Sequence, residues 1–87
     1  MKKILLLSDT HGFLDQRIQN YAKKADEIWH AGDIGKMSIL NRLESITPIR
    51  AVYGNIDSHE IRKQVPEMLN FECEGVNVLM IHIAGYP

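Results

Sequence analysis

Four times along this chain a short apolar run stops at a residue able to ligate a metal or handle a proton. Ile4 to Leu7 runs into Ser8-Asp9-Thr10-His11-Gly12, Ile28 to Ala31 into Gly32-Asp33, Ile49 to Tyr53 into Gly54-Asn55, and Val76 to Ile81 into His82. Each run has the length and aliphatic content of a strand, and the first reads as one buried on both faces. Taken singly, the polar exits mean little, because Ser, Asp and Thr after a strand also cap helices. Their recurrence is what constrains the fold. In open α/β sheets, sites form outside the carboxyl ends of the strands, so Asp9, His11, Asp33, Asn55 and His82 are expected to converge on one edge of a sheet.

The segments between the runs supply the connections that parallel strands need. Leu14, Ile18, Tyr21, Ala22 and Ala25 fall at i, i+4, i+7, i+8 and i+11, the apolar stripe of a crossover helix that leaves Asp15, Gln16, Lys23 and Lys24 to water. Met37, Ile39, Leu40 and Leu43 predict a second, shorter helix ending before Thr47-Pro48, and Ser58 to Lys63 a further helical turn before Val65-Pro66. Asn70 to Cys73 and Val76 to His82, joined by Glu74-Gly75, read as an antiparallel hairpin. The expected class is α/β: a layered sheet of mixed strands with right-handed crossover helices, residues 1–87 forming one domain.

Composition adds exclusions. An 87-residue chain, 45% hydrophobic and 24% charged, suits a single globular domain. A domain of that size buries only roughly 60–65% of its unfolded surface. The formal net charge of −1 offers no general electrostatic reason to bind nucleic acid or an anionic membrane. Met1-Lys2-Lys3 before Ile4 imitates the start of a signal peptide, but the apolar run ends after four residues, well short of roughly 7–15. With Cys73 as the only cysteine, no intrachain disulfide forms, and a cytoplasmic protein is expected.

Two carboxylates, an amide and two imidazoles suit divalent ions of intermediate hardness better than calcium or a thiolate-bound structural zinc. A single Asp can bridge two ions about 3.5–4 Å apart. Ser8-Asp9-Thr10-His11-Gly12, His30-Ala31-Gly32-Asp33-Ile34 and Gly54-Asn55-Ile56-Asp57, followed by the strand-terminal His82, resemble the ordered motifs of the calcineurin-like metallophosphoesterases, and most closely the small bacterial and archaeal phosphodiesterases. The resemblance covers nearly the whole chain. It implies the N-terminal half of a metallophosphoesterase-type sandwich and a dinuclear site. Asp9 and His11 would hold the first ion, Asp33 would bridge, and Asn55 and His82 would hold the second, with manganese expected first and iron, zinc, nickel or cobalt also suited. Asp33 and Asn55 would be catalytic in hydrolysing a small phosphate ester, a diester by preference, with a metal-activated hydroxide. The alternative is a non-catalytic protein-binding module or an inactive fragment, since one eukaryotic trafficking scaffold subunit keeps this fold without the ligands.

The chain departs from that family pattern in places. The family's closing Gly-His-x-His segment would fall beyond Pro87, so the chain resembles a domain truncated before it, with open sheet edges that predict a homo-oligomer or a poorly stable chain. Ile56 stands where many relatives carry a histidine acid, and His59 is out of register for that role. Ile83-Ala84-Gly85 delays the small residue that often follows the histidine at 82. His30 is expected to be packed or solvated rather than a ligand, Asp57 to cap the next helix, and Trp29 and Tyr21 to lie in the core. Gly35-Lys36 lacks the flanking Gly and Ser or Thr of a phosphate loop.

Overall fold

In a computed structural model describing residues 2–82, the apolar runs form strands β1 (Ile4–Leu7), β2 (Glu27–His30) and β3 (Ile49–Ala51), and these make a parallel sheet of order β1-β2-β3. The connections are helices α1 (Gln16–Lys24) and α2 (Met37–Ile46), which pack against each other. A short helix, α3 (His59–Gln64), leads to strands β4 (Met68–Cys73) and β5 (Val76–Ile81). These last two pair antiparallel as a second sheet, turning through Glu74 and Gly75 at φ 49° and 80°. Two positive φ values at the centre of a two-residue loop match the twist of the flanking strands. Residues 83–85, which follow His82, lie outside the described residues.

Register sorts the parallel strands into two faces. Leu5, Ile28 and Ile49 form one row and Leu7, His30 and Ala51 the next, both packed toward the core that Ala22, Ile39, Leu40 and Leu43 contribute from the helices. Ile28, Leu43 and Ile61 are fully buried, each worth roughly 1.5–3 kcal/mol of transfer free energy. The opposite face carries the row Leu6, Trp29, Arg50. There the hairpin docks through an edge-to-face contact of Trp29 with Phe71, centroids 5.0 Å apart, and Arg50 lies over the same ring. Glu27 accepts from both Trp29 Nε1 (2.8 Å) and Arg50 Nε (2.6 Å), fixing the row from below.

Three expectations about burial and capping change. The hairpin covers Trp29 and Arg50 but not Leu6, which is 67% exposed, so β1 is buried on one face only. Tyr21 is 61% exposed: it sits at the margin of the α1 stripe, beside the open edge of β1, whereas Ala22 takes the buried position. Asp15 is not simply solvated. Its carboxylate accepts from the Arg17 and Ile18 N–H groups as the α1 N-cap, and Lys23 and Lys24 close the helix at its negative end. Among the described residues no helix is long and apolar enough to cross a membrane.

Candidate metal centre

The exits of β1 and β2 do not begin the helices; they run alongside one another first. Asp9 N–H donates to Gly32 O (2.9 Å), His11 N–H to Asp33 O (3.0 Å) and Gly12 N–H to Ile34 O (2.8 Å). Ser8, Asp9 and Thr10 are therefore not the cap of α1, which starts only at Gln16. Within these loops Asp9, His11 and Asp33 have φ of 55°, 50° and 57°. Left-handed backbone costs a non-glycine residue roughly 1–2 kcal/mol, and here it falls on three of the five ligand-type residues.

The side chains meet. Asp9, Asp33 and His82 each offer a ligand atom within 4.8 Å of the others'. His11 joins them, its Nε2 3.5 Å from Asp9 Oδ1 and 3.7 Å from Asp33 Oδ2, while His82 Nε2 stands 3.4 Å from the same Asp33 Oδ2. Asp33 is buried and Asp9 half-exposed, so the cluster has a closed floor and an open mouth. A hydrogen bond from Ser8 holds the Asp9 carboxyl below its ordinary range; burial opposes it, and Asp33 and His11 add to the lowering. His82 Nδ1 lies 2.8 Å from Ala31 O. A carbonyl can only accept, so Nδ1 carries a proton and Nε2 is the nitrogen turned to the cluster, the orientation that metal-ligating histidines adopt. Two imidazole nitrogens and two carboxylates around one opening fit divalent transition-metal ions by donor chemistry.

Asn55 is brought beside this cluster by its backbone and is itself exposed. Its neighbours touch Asp33 directly: the Ile56 N–H donates to Asp33 Oδ1 (3.1 Å), and a Cβ on Gly54 would stand 2.8 Å from Asp33 Cγ. Only glycine lets the third loop approach so closely. Gly32 answers the same need on the other side, since a Cβ there would lie 2.7 Å from His82 Cβ.

Two buried groups behind the cluster were legible only in part. His30 is fully buried rather than solvated, and its neighbours fix its tautomer. Gly32 N–H donates to Nδ1 (3.1 Å), so Nε2 carries the proton and gives it to Thr10 Oγ1 (3.0 Å), which in turn donates to Ile34 O (2.9 Å). Burial pushes the His30 pKa down to about 4, with Asp57, Asp9 and Asp33 opposing. Asp57 is not a helix cap. Ser58 caps α3, its Oγ accepting from Ile61 N–H, while the buried Asp57 carboxylate accepts from Gly35 N–H and Gly54 N–H, both at 2.8 Å. It thus ties the second and third loops together. Two adjacent cap-type residues left this one-residue register open in the sequence.

A parallel sheet with helical crossovers and a carboxylate and imidazole cluster at its strand exits defines an α/β protein with a candidate metal centre at the strand ends. The chain belongs to the calcineurin-like phosphoesterase superfamily domain family, whose model matches residues 1–87. Membership supports a phosphoesterase-type function dependent on divalent metal ions. A probable metallophosphoesterase of Methanothermobacter thermautotrophicus is 32% identical over 87 residues, covering 94% of this chain and 50% of that protein. The solution NMR structure of Thermotoga maritima protein TM1076 superposes with a TM-score of 0.83 at 29% identity, over 100% of this chain and 59% of that one. Chaetomium thermophilum Vps29 shares the fold, with a TM-score of 0.75 at 17% identity over 91% of this chain and 45% of its own. The chain therefore spans about half the length of the curated relative it matches.

Proposed function

We propose that this chain is the ligand-bearing part of a dinuclear metallophosphodiesterase. The observation that carries the reading is the Asp33 carboxylate: Oδ2 faces the imidazoles of His82 (3.4 Å) and His11 (3.7 Å), while Oδ1 is held by the Ile56 N–H. One carboxylate between two imidazole-bearing sides is the arrangement a bridging ligand needs. Asp9 and His11 would hold one ion, His82 and Asn55 the other, and Asp33 would serve both, manganese being the expected metal. When bound, such a pair of ions supplies an activated hydroxide and neutralises charge on the phosphoryl oxygens.

The chain's own residues do the rest. Asp9, ionised over the whole neutral range, contributes negative charge at the mouth. His82 is kept in its ligating tautomer by Ala31. Asn55, exposed between two residues that contact Asp33, would donate its amide to a phosphoryl oxygen and orient the ester. Ile56 has no proton to give, so esters with acidic leaving groups, which depart without protonation, would be favoured.

The same reading takes residues 1–87 as one cytoplasmic domain acting on a small phosphate ester. The open β1 edge and exposed Leu6, Leu79 and Ile81 support self-association, which a monodisperse monomer in light scattering would refute. Hydrolysis of bis-p-nitrophenyl phosphate with added Mn²⁺, beside EDTA and Asp33→Asn controls, tests the activity. Metal-dependent turnover lost in both controls is the expected result. Tight Mn²⁺ binding without turnover would move the reading to an inactive fragment or a binding module, and unchanged Mn²⁺ affinity in Asp33→Asn would remove the site assignment altogether.

A further inference from the structure

The loop that carries Asn55 is gripped by a residue that belongs to no motif. Arg62 projects from α3 beside the fully buried Ile61, and its Nε donates to Asp57 O (2.9 Å). Its Nη2 donates to Asn55 O (3.2 Å) and Gly54 O (3.4 Å), so three carbonyls of one four-residue loop converge on one guanidinium. The guanidinium carbon lies 4.6 Å from the centre of the Tyr53 ring, which fixes the plane of the fork. No carboxylate pairs with Arg62 among the described residues, so its donors serve main-chain shape and not charge balance.

We propose that Arg62 is a positioning residue for the metal centre: it fixes the loop from Gly54 to Asp57, and through that loop sets Asn55 and the Ile56 N–H that orients Asp33. The inference rests on the metal-centre reading for what the loop is held to do, and on hydrogen bonding alone for the holding. Asp57 anchors the loop to the second strand exit by its side chain, and Arg62 anchors the same residue by its carbonyl. An arginine suits this place because a planar fork meets several carbonyls at fixed angles, which a lysine ammonium does not.

The test uses the 87-residue chain with Arg62→Met, which removes the donors but keeps the stem, and Arg62→Lys, which keeps the charge. Amide hydrogen exchange is followed at Ile56 and Gly54 in the loop and at Val52, whose N–H bonds His30 O in the core. Mn²⁺ affinity is measured calorimetrically beside Asp33→Asn. The expected result is exchange at Ile56 and Gly54 faster by tenfold or more with Val52 unchanged, and Mn²⁺ affinity weaker by about 10–100-fold, with Arg62→Lys intermediate. Equal acceleration at all three amides would make Arg62 a plain stability residue and overturn the proposal, as would unchanged exchange at Ile56. If Arg62→Met fails to fold, Arg62→Lys decides by the same criteria. Asp33→Asn losing Mn²⁺ while both Arg62 variants bind as the wild type does overturns the role of Arg62 alone; Asp33→Asn binding as the wild type overturns the metal-centre reading and this proposal with it.

Discussion

Lowering the pH from 7.5 to 5 should destabilise this protein through one side chain, His30. It is fully buried, and the Gly32 N–H already occupies its Nδ1 lone pair, so a second proton would set two donors face to face. Its pKa is held at about 4, against an ordinary 6.5. Between those values the unfolded chain binds the proton and the folded chain does not, so stability is fully present above pH 6.5 and is lost as the pH falls toward 4. The whole gap is worth ~3 kcal/mol, of which ~2 kcal/mol is lost by pH 5. A domain of 87 residues has roughly 4–13 kcal/mol in total, so the loss is easily measured. Urea unfolding can be followed by Trp29, the only tryptophan, whose ring packs on Phe71. EDTA throughout removes any contribution from bound metal. His30→Gln, which keeps one acceptor and one donor but cannot ionise, should flatten the pH dependence by about 2 kcal/mol, while other titrations appear in both proteins and cancel. Parallel pH profiles for the two proteins would refute the buried, singly protonated assignment of His30.

Other expectations follow from single contacts. Gly54→Ala, whose Cβ would press on Asp33 Cγ, should cost about 1–3 kcal/mol in urea unfolding and weaken Mn²⁺ binding at least tenfold by calorimetry, since the loop must retreat from the ligand. Ser58→Ala removes the side-chain cap on the Ile61 N–H and should cost about 1 kcal/mol in the same unfolding assay, leaving Mn²⁺ affinity unchanged. Glu27→Gln weakens the acceptor shared by Trp29 and Arg50; because Arg50 is 40% exposed, the expected loss is only ~1 kcal/mol, read as a lower urea midpoint with an altered Trp29 signal.

The parts of the fold that were legible are those that repeat. Each β-α alternation was visible because an apolar run, a polar exit and a 3.6-period stripe recurred in order, and the structure adjusts the ends only slightly: β2 begins at Glu27 and β3 stops at Ala51. What the sequence could not supply was lateral order. Leu6 looked as buried as Leu5 because aliphatic runs of four are the same whether one face or both are covered, and its exposure depends on how far the hairpin reaches across the row. Tyr21 failed for a local reason, lying at the border of a stripe whose centre is Ala22. For the candidate ligands, the convergence of Asp9, His11, Asp33 and His82 was legible because the strand exits alone place them. Asp57 and Arg62 were not: a carboxylate bonding two glycine N–H groups from different loops, and an arginine bonding three carbonyls, leave no periodic trace.

These same cross-loop bonds decide how the protein should respond to removal of a bound ion. The first and second loops are joined by three main-chain hydrogen bonds, the second and third by Asp57, and none of these uses a ligand atom of Asp9, His11 or His82. The core of Ile28, Leu43 and Ile61 lies on the helix-packed face of the sheet and is complete without an ion. The site is therefore organised before the metal arrives, unlike a small zinc domain whose fold exists only when loaded. Chelation with EDTA should leave the far-ultraviolet circular dichroism unchanged and lower stability only by the mass-action term, about 2.7 kcal/mol when the free metal had stood at a hundred times its dissociation constant. That decrement should shrink with falling Mn²⁺ concentration and vanish in Asp33→Asn. Cooperative loss of helix and sheet on chelation would show that the ions, and not the loop-to-loop hydrogen bonds, hold the three exits together.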